Sequence, residues 1–515
     1  MHNPNLRVVA SVAVFLIAGS FGGASASADT IPVRAGGDLQ AALDIARPGD
    51  TVALAPGATF VGNFILRPKS GDQFITVRTA LVSMPTSARI TPRLSSRLAK
   101  LRSPNGVAVV RTEPGAHHWR LQLLEFQANE GGIGTIIDLG DGSLDQNSLS
   151  QVPHDIIIDR CYVHGDPVKG QKRGIGLNSA ATTIRGSHIS DIKAVGQDTQ
   201  AIGGWNGPGP FTIENNYLEA AGENFMLGGA DPGIQGLVPS DVIFRRNHVS
   251  KPEGWRQERW QVKNLFELKN ARRVLIEGNV FEHNWAAAQA GYAIVFTPRG
   301  ERGRAPWAVV EDVTFQFNIV RDVAAGINIL GRDDGGASGL AEKIRILNNQ
   351  FYNFDQRRWG GNGYFLLIGA GPKGIVVDHN TIIQRGNIIS AYGGPSSNPT
   401  PITDFTFTNN LTLHNTSGVH GQGRGIGQDT LDVYFPNGTF ARNVLAGGRA
   451  TRYPADNDFP DQAQFERQFV DFAGQDYRLV PASSYREAGT DRKDLGADIA
   501  SIVKQRVLLN GNDPR

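Results

Sequence analysis

The segment Phe266-Glu267-Leu268-Lys269 alternates apolar and charged residues. In an extended strand successive side chains point to opposite faces, so with Phe266 and Leu268 in a core, Glu267 and Lys269 share the outer face. If neighbouring segments stack in register, Glu223, Asn224 and Asp231 lie on one side of that pair. Thr297 and Arg299 lie on the other, followed by Asn328, Arg332, Asp333 and Asp334. Charges of both signs then meet on one wall. Elimination next to a carboxylate needs a base for the alpha proton, a cation or donors for the enediolate, and an acid for the leaving oxygen. Lys269, Arg299 and Arg332 have the right chemistry, since crowded cations lower the pKa of a lysine. An ordinary surface ion pair of Lys269 with Glu267 would look the same in the sequence.

Hydrolysis is the second chemistry these residues suit. An inverting glycosidase holds two carboxylates roughly 6.5–9.5 Å apart. Glu267 and Asp333 lie two stacked segments apart, a rise of about 9.6 Å at the usual strand spacing. Asp333-Asp334-Gly335-Gly336 also reads as a plain polar turn. Trp255 and Trp260 precede the Lys269 segment in a long loop, and Trp205, Trp285 and Trp307 lie in nearby turns. Such rings stack on pyranoses when they wall a groove and anchor loops when they are buried. Asp138, Asp141 and Asp145 suit calcium or a polar turn, and the turn is favoured. His283, His379 and His414 lack metal-ligand spacing and read as structural.

The elements that must position these groups follow from a repeat, apolar-x-apolar-x-x-Asn-x-apolar. It places Asn216, Asn247, Asn279, Asn318, Asn349, Asn380, Asn410 and Asn443 at intervals of 31, 32, 39, 31, 31, 30 and 33 residues. Each copy is too short for a helix, alternates in the strand sense and is rich in β-branched and aromatic residues. A second strand precedes most copies, as in Tyr364-Phe365-Leu366-Leu367-Ile368. Two or three short strands per turn of about 30 residues fit a parallel β-solenoid. Rungs stacked about 4.8 Å apart allow the asparagines to hydrogen-bond as a ladder, with Cys161 and Ser187 in the matching place of earlier rungs. The fold class is therefore all-β, a solenoid with an N-terminal capping helix over 38–46, where Leu39, Ala42, Leu43 and Ala46 share one side. The solenoid is expected over 29–450, with a closing coil and C-terminal cap over 451–515.

The whole chain agrees with that organisation. Its 515 residues contain 62 glycines, about 12% against a usual value of roughly 7%, as many turns require. His2 and Arg7 precede an apolar run, Val8 to Phe21, and then Ala26-Ser27-Ala28. That pattern is a secretory signal peptide over 1–28, and the mature protein is expected to be periplasmic or secreted, off the membrane after cleavage. The net charge is +2, or +1 without Arg7. Near-neutrality argues against a nucleic-acid partner. The expected partner is a polysaccharide, and the expected state a monomer. The single cysteine, Cys161, excludes an internal disulfide and reads as a small buried hydrophobe.

With its capping helix, Pro48-Gly49-Asp50-Thr51, asparagine ladder and closing Asp494-Leu495-Gly496-Ala497-Asp498, the chain resembles the pectin-lyase-like superfamily of right-handed parallel β-helices over about 31–500. Most such proteins are secreted lyases, polygalacturonases and epimerases, although adhesins and phage tailspikes share the fold. Glu267-Leu268-Lys269 through Glu277-Gly278-Asn279 is similar to a segment of the chondroitinase B and alginate lyase family. That resemblance implies Lys269 as the base and Arg299, one coil on, acting on the leaving-group side. It also implies Ca²⁺, which that family holds on two glutamates five and seven positions before the lysine. Here those positions are Asn264 and Val262, so no metal ligand is assigned, with Glu267 and Asn224 as conceivable substitutes. Asp333-Asp334 is similar to the paired aspartates of polygalacturonases, without that family's other motifs. Three expectations result: a polysaccharide lyase with Lys269, Arg299, Glu267 and Asp333 as catalytic residues and Asn224, Glu223, Arg332, Asp334, Trp255 and Trp260 around the substrate; a hydrolase built on paired carboxylates; or a non-catalytic carbohydrate-binding or surface protein.

Overall fold

The computed structural model describes residues 28–301 and 303–507, so the expected signal peptide lies outside it except for Ala28. Three parallel sheets of 14, 12 and 13 strands run the length of the molecule. The first spans Thr30–Val33 to Thr439–Ala441, the second Phe64–Leu66 to Val419–Gly421, and the third Thr59–Val61 to Val444–Ala446. Each rung contributes one strand to the first sheet, then the third, then the second, before rising to the next rung. The chain is a parallel β-solenoid, as the repeat implies, and a right-handed β-helix, as the resemblance implies.

The corner between the first and third sheets explains the repeat. Asn215, Arg246, Phe317, Asn348, His379, Asn409 and Arg442 precede ladder asparagines and all have φ between 51° and 58°, in the left-handed region. Non-glycine residues enter that region at a cost of roughly 1 kcal/mol, and the following asparagine offsets it. Each side chain in the stack reaches the next, as in Asn247 Nδ2 to Asn279 Oδ1 at 3.1 Å and Asn279 Nδ2 to Asn318 Oδ1 at 2.9 Å. Each Oδ1 also accepts from the backbone N–H of the preceding rung, as Asn318 Oδ1 does from Asn279 N at 2.9 Å. Ser187 Oγ takes that place below, accepting from Cys161 N at 3.0 Å. Asn457, from a loop, ends the stack above by accepting from Asn443.

Inside, aliphatic side chains and stacked phenylalanines form one core that runs through the rungs. Phe225 and Phe266 stack at 5.1 Å, and Phe281 and Phe315 at 5.7 Å. The helix Leu39–Ile45 closes the lower end. Its N-cap Asp38 accepts from Ala41 N at 3.0 Å, and Leu39, Ala42 and Leu43 enter the same core. Cys161 is fully buried there as a free thiol, and burial pushes its pKa up to about 12. No helix among the described residues is long and apolar enough to cross a membrane.

The C-terminal segment does more than cover the upper end. After Asn457 it folds back along the outer face of the third sheet. Phe465, Phe469, Tyr477, Leu495 and Ile502 pack there on Val280, Ile319, Tyr352, Leu411 and Val444, which come from five rungs of that sheet. The reason lies in the third sheet's outward positions, which are apolar on these rungs and need cover.

Candidate functional site

The residues singled out by the sequence lie on the outer face of the second sheet and in the segments that follow its strands. Register pairs Met226 with Glu267 and Glu267 with Val295, while Phe225, Phe266 and Ile294 stack inward. Glu267 therefore points outward, and Lys269, just past the end of its short strand, follows it on the same face. Glu267 is 3% exposed and lies 3.5 Å from Lys269 Nζ. Burial pushes its pKa up to about 7, against the pull of the Lys269 ammonium and with further help from the nearby Glu223 carboxylate. Such a carboxyl is poised to exchange a proton near neutrality. Lys269 keeps 16% of its side chain exposed, open to a ligand on the wall.

Arg299 rises from the next rung, where its backbone N–H donates to the Lys269 carbonyl at 2.9 Å. Its Nε lies 3.2 Å from Asp333 Oδ1, and its outer nitrogen pairs with Asp334. Asp333 in turn accepts from Gly335 N at 2.9 Å, so the polar turn read from the sequence is real and also anchors the arginine. Arg332 is exposed and donates to the Ser338 carbonyl. Lys269, Glu267, Arg299, Asp333 and Asp334 thus belong to one neighbourhood built on consecutive rungs. Tyr392 joins it from above, its hydroxyl sensing both Asp334 and Arg299. Its ring lies where a Cβ on Gly369 would come within 2.4 Å, so the glycine is what lets the ring lie along the wall. No repeat marks Tyr392, and nothing in the sequence singled it out.

A second outward row runs along the corner of the same sheet. Arg173, Gln200 and Glu223 are register partners. Arg173 Nε donates to Gln200 Oε1 at 3.0 Å, and Gln200 Nε2 donates to Glu223 Oε2 at 2.9 Å. Lys263 Nζ sits 3.4 Å from Glu223 Oε1 and also pairs with Asp198. Glu223 is fully buried. Two to five rungs towards the N-terminus from the Glu267 strand, a cavity of about 770 Å³ opens, lined by Arg111, Asp138, Arg173, Asn178 and Trp205. Arg173 lies over the Trp205 ring at 4.9 Å. Asp141 accepts from Ser143 N at 2.7 Å, in keeping with a polar turn there.

Three expectations change. Asn224 does not face the wall, because strict alternation fails at the corner, where Asn224 and its register equivalent Leu265 both turn inward ahead of Phe225 and Phe266. Its amide donates to the Leu218 and Ser250 carbonyls, each at 2.8 Å, and its oxygen accepts from Lys251 at 2.8 Å. Trp255 is 5% exposed and packs with Val262, Trp285 and Trp359 under the loop, so it is an anchor. Trp260 packs against the same cluster, and Lys193 Nζ lies over both rings at 4.8 and 5.1 Å. His414 is buried against Tyr453, and His379 pairs with Asp378, as structural histidines do.

The calcium implied by the resemblance does not fit the residues at its two positions. Val262 is apolar and buried in the tryptophan cluster. Asn264 offers one amide oxygen, and Lys263 between them places an ammonium on Glu223. No group of three or more histidine, cysteine or carboxylate side chains suited to a metal occurs among the described residues.

No protein-family model matches the chain, and no curated protein matches it by sequence. Solved structures do. An alginate lyase of family PL6, AlyGC, superposes with a TM-score of 0.55 at 14% identity over 91% of this chain. This chain spans 58% of that protein's length. An alginate lyase from Paenibacillus sp. matches at 16% identity over 77% of this chain and 98% of its own, with a TM-score of 0.32. The pectate lyase Pel9A matches at 14% identity over 91% and 95%, with a TM-score of 0.36. With three stacked parallel sheets, an asparagine-lined corner and a superposition on AlyGC over 91% of this chain, the protein has the right-handed parallel β-helix fold.

Proposed function

We propose that this chain is an exported polysaccharide lyase that cleaves a uronate-containing polymer by β-elimination on the outer face of the second sheet. The observation that carries the reading is the adjacency of Lys269 and Arg299 on consecutive rungs, beside a buried carboxyl held near neutrality. Lys269 takes the proton alpha to the uronate carboxylate. The electron pair passes into the carboxylate as an enediolate, and its collapse forms the new double bond as the bond to the leaving oxygen breaks. Arg299 steadies the charge developing on that oxygen until a solvent water molecule protonates it, and Lys269 later returns its proton to solvent. Glu267 sets the position of Lys269, and Asp333 and Asp334 set that of Arg299. The likeness in fold to AlyGC, an alginate lyase, supports the substrate class.

A hydrolytic reading has one observation in its favour, the raised pKa of Glu267, which suits a general acid. One assay separates the two. Purified protein is incubated with a panel of uronate polymers, and absorbance near the ultraviolet band of an unsaturated uronate is followed beside new reducing ends. Both signals together support elimination, and reducing ends without absorbance support hydrolysis. Silence in both, with binding retained, leaves a carbohydrate-binding protein.

A further inference from the structure

Lys251 has no part in the elimination, yet it is among the most completely enclosed ionisable groups of the described chain, with none of its surface exposed. Its Nζ lies within 2.8–3.0 Å of five oxygens: the carbonyls of Ala220, Ala221, Gly222 and Asn264, and the side-chain oxygen of Asn224. A shell of five oxygens at one point is what a bound cation gathers, and here a lysine side chain delivers the charge from within the chain. An uncharged amine has two N–H groups and would turn its lone pair on a carbonyl, so the shell selects the ammonium. Burial pulls the lysine down to about 7, while Glu223 and Glu219 favour its charged form.

The bound segments are the two that shape the candidate site. Ala220–Gly222 leads directly into Glu223, and Asn264 is its neighbour on the next rung. On the outer side of the same rung Lys263 pairs with Glu223 and Asp198. Three buried oxygens around this place, Glu223 Oε1, Asn264 Oδ1 and Glu267 Oε2, make no hydrogen bond within the protein. Oxygen donors are therefore present, but each carboxylate already faces an ammonium.

We propose that this rung holds no divalent metal and instead takes its positive charge from two lysines of the chain itself, Lys251 enclosed in the corner and Lys263 on the outer side. Lys251 is a positioning residue that fixes the backbone beneath Glu223 and Asn264. Lys263 fills the outer cation position, where its ammonium offsets the charge of Glu223 and Asp198 beside the substrate. The proposal concerns the same place as the lyase reading but does not need that reading, because it is measured by binding and stability.

The test titrates calcium into the intact protein by calorimetry and compares melting temperatures in EDTA and in calcium. No binding heat and an unchanged melting temperature are expected. Saturable calcium binding, or a melting temperature lowered by EDTA, overturns the proposal. Lys263→Ala removes the outer ammonium and leaves Glu223, Asp198, Asn264 and Glu267 facing one another. Calcium or manganese is then expected to raise its melting temperature by several degrees, and a variant that remains indifferent to both ions counts against the proposal. Lys251→Ala leaves the five-oxygen shell empty, and its lowered melting temperature is expected to recover in potassium chloride but not in tetramethylammonium chloride, which is too large to enter. Equal behaviour in the two salts overturns the role of Lys251. If Lys251→Ala does not fold, wild-type calorimetry and Lys263→Ala decide the matter. Failure to form an unsaturated product would remove the lyase reading and leave all these measurements standing.

Discussion

The backbone N–H of Arg299 donates to the carbonyl oxygen of Lys269 at 2.9 Å, so two residues thirty apart in sequence leave the wall from adjacent rungs. Their side chains differ in their restraints. Lys269 has one carboxyl partner, and Arg299 has two. Two basic residues whose backbones are joined by one ladder bond keep a fixed separation.

Loss of either side chain is expected to reduce turnover on a uronate polymer by at least about 100-fold, the usual range for a positioned proton-transfer group. Lys269→Ala and Arg299→Ala combined should lose less than the product of the single losses, because each acts through the same transition state. Initial rates of ultraviolet absorbance increase check this. Full activity in Lys269→Ala would remove the lysine from the mechanism.

Glu267 makes stability depend on pH in a defined direction. Its folded pKa of about 7 stands above the ordinary value of 4.5, so the folded state binds the proton more tightly. The stability it contributes is complete below about 4.5 and is lost as pH rises through 7. Relative to Glu267→Gln, the wild type should therefore weaken by about 3 kcal/mol across that window. Urea melts of both proteins at the two ends measure it, and parallel curves would contradict the raised value.

Asn318 sits in mid-ladder. It donates to Asn349 Oδ1 at 3.1 Å and to the Ile276 carbonyl at 2.9 Å, and it accepts from the backbone and side chain of Asn279. Asn318→Ala leaves several buried groups unpaired and should cost about 2–4 kcal/mol in chemical denaturation. Asn318→Ser should cost less, since Ser187 fills the equivalent place in an earlier rung.

Trp255→Ala should destabilise the protein by about 3–5 kcal/mol, as removal of a buried aromatic does. Substrate KM should stay within about twofold, because the ring packs on Val262 and Trp285 and does not line the wall. A stable variant with a much higher KM would restore the ring to the binding surface.

The sequence was most informative where one physical constraint recurs. Each ladder asparagine follows a left-handed corner and feeds a neighbour, so the repeat, the sheets and the outward direction of Glu267 and Lys269 were all readable from spacing. Asn224 was misplaced because alternation fails over the first residues of its strand, Glu223–Leu227, and nothing in Glu223-Asn224-Phe225 marks the departure. Lys251 and Lys263 were missed for a different reason. A lysine in a loop is ordinarily a solvated charge, and only the closure of distant carbonyls around Lys251 shows otherwise. Tyr392 depends on a glycine one rung below it, a relation between side-chain shapes that composition does not carry.

The longest interval in the stack, 39 residues from Asn279 to Asn318, keeps a ladder bond of 2.9 Å, no longer than those across intervals of 31. The surplus residues leave the pitch untouched because they lie in the loops 285–291 and 297–309, the second of which begins with the residues around Arg299. Scaffold and reactive surface can therefore vary independently. An exchange of that loop between proteins of this architecture should alter what the wall recognises while the cylinder beneath keeps its dimensions, making the molecule a frame on which specificity can be refitted one storey at a time.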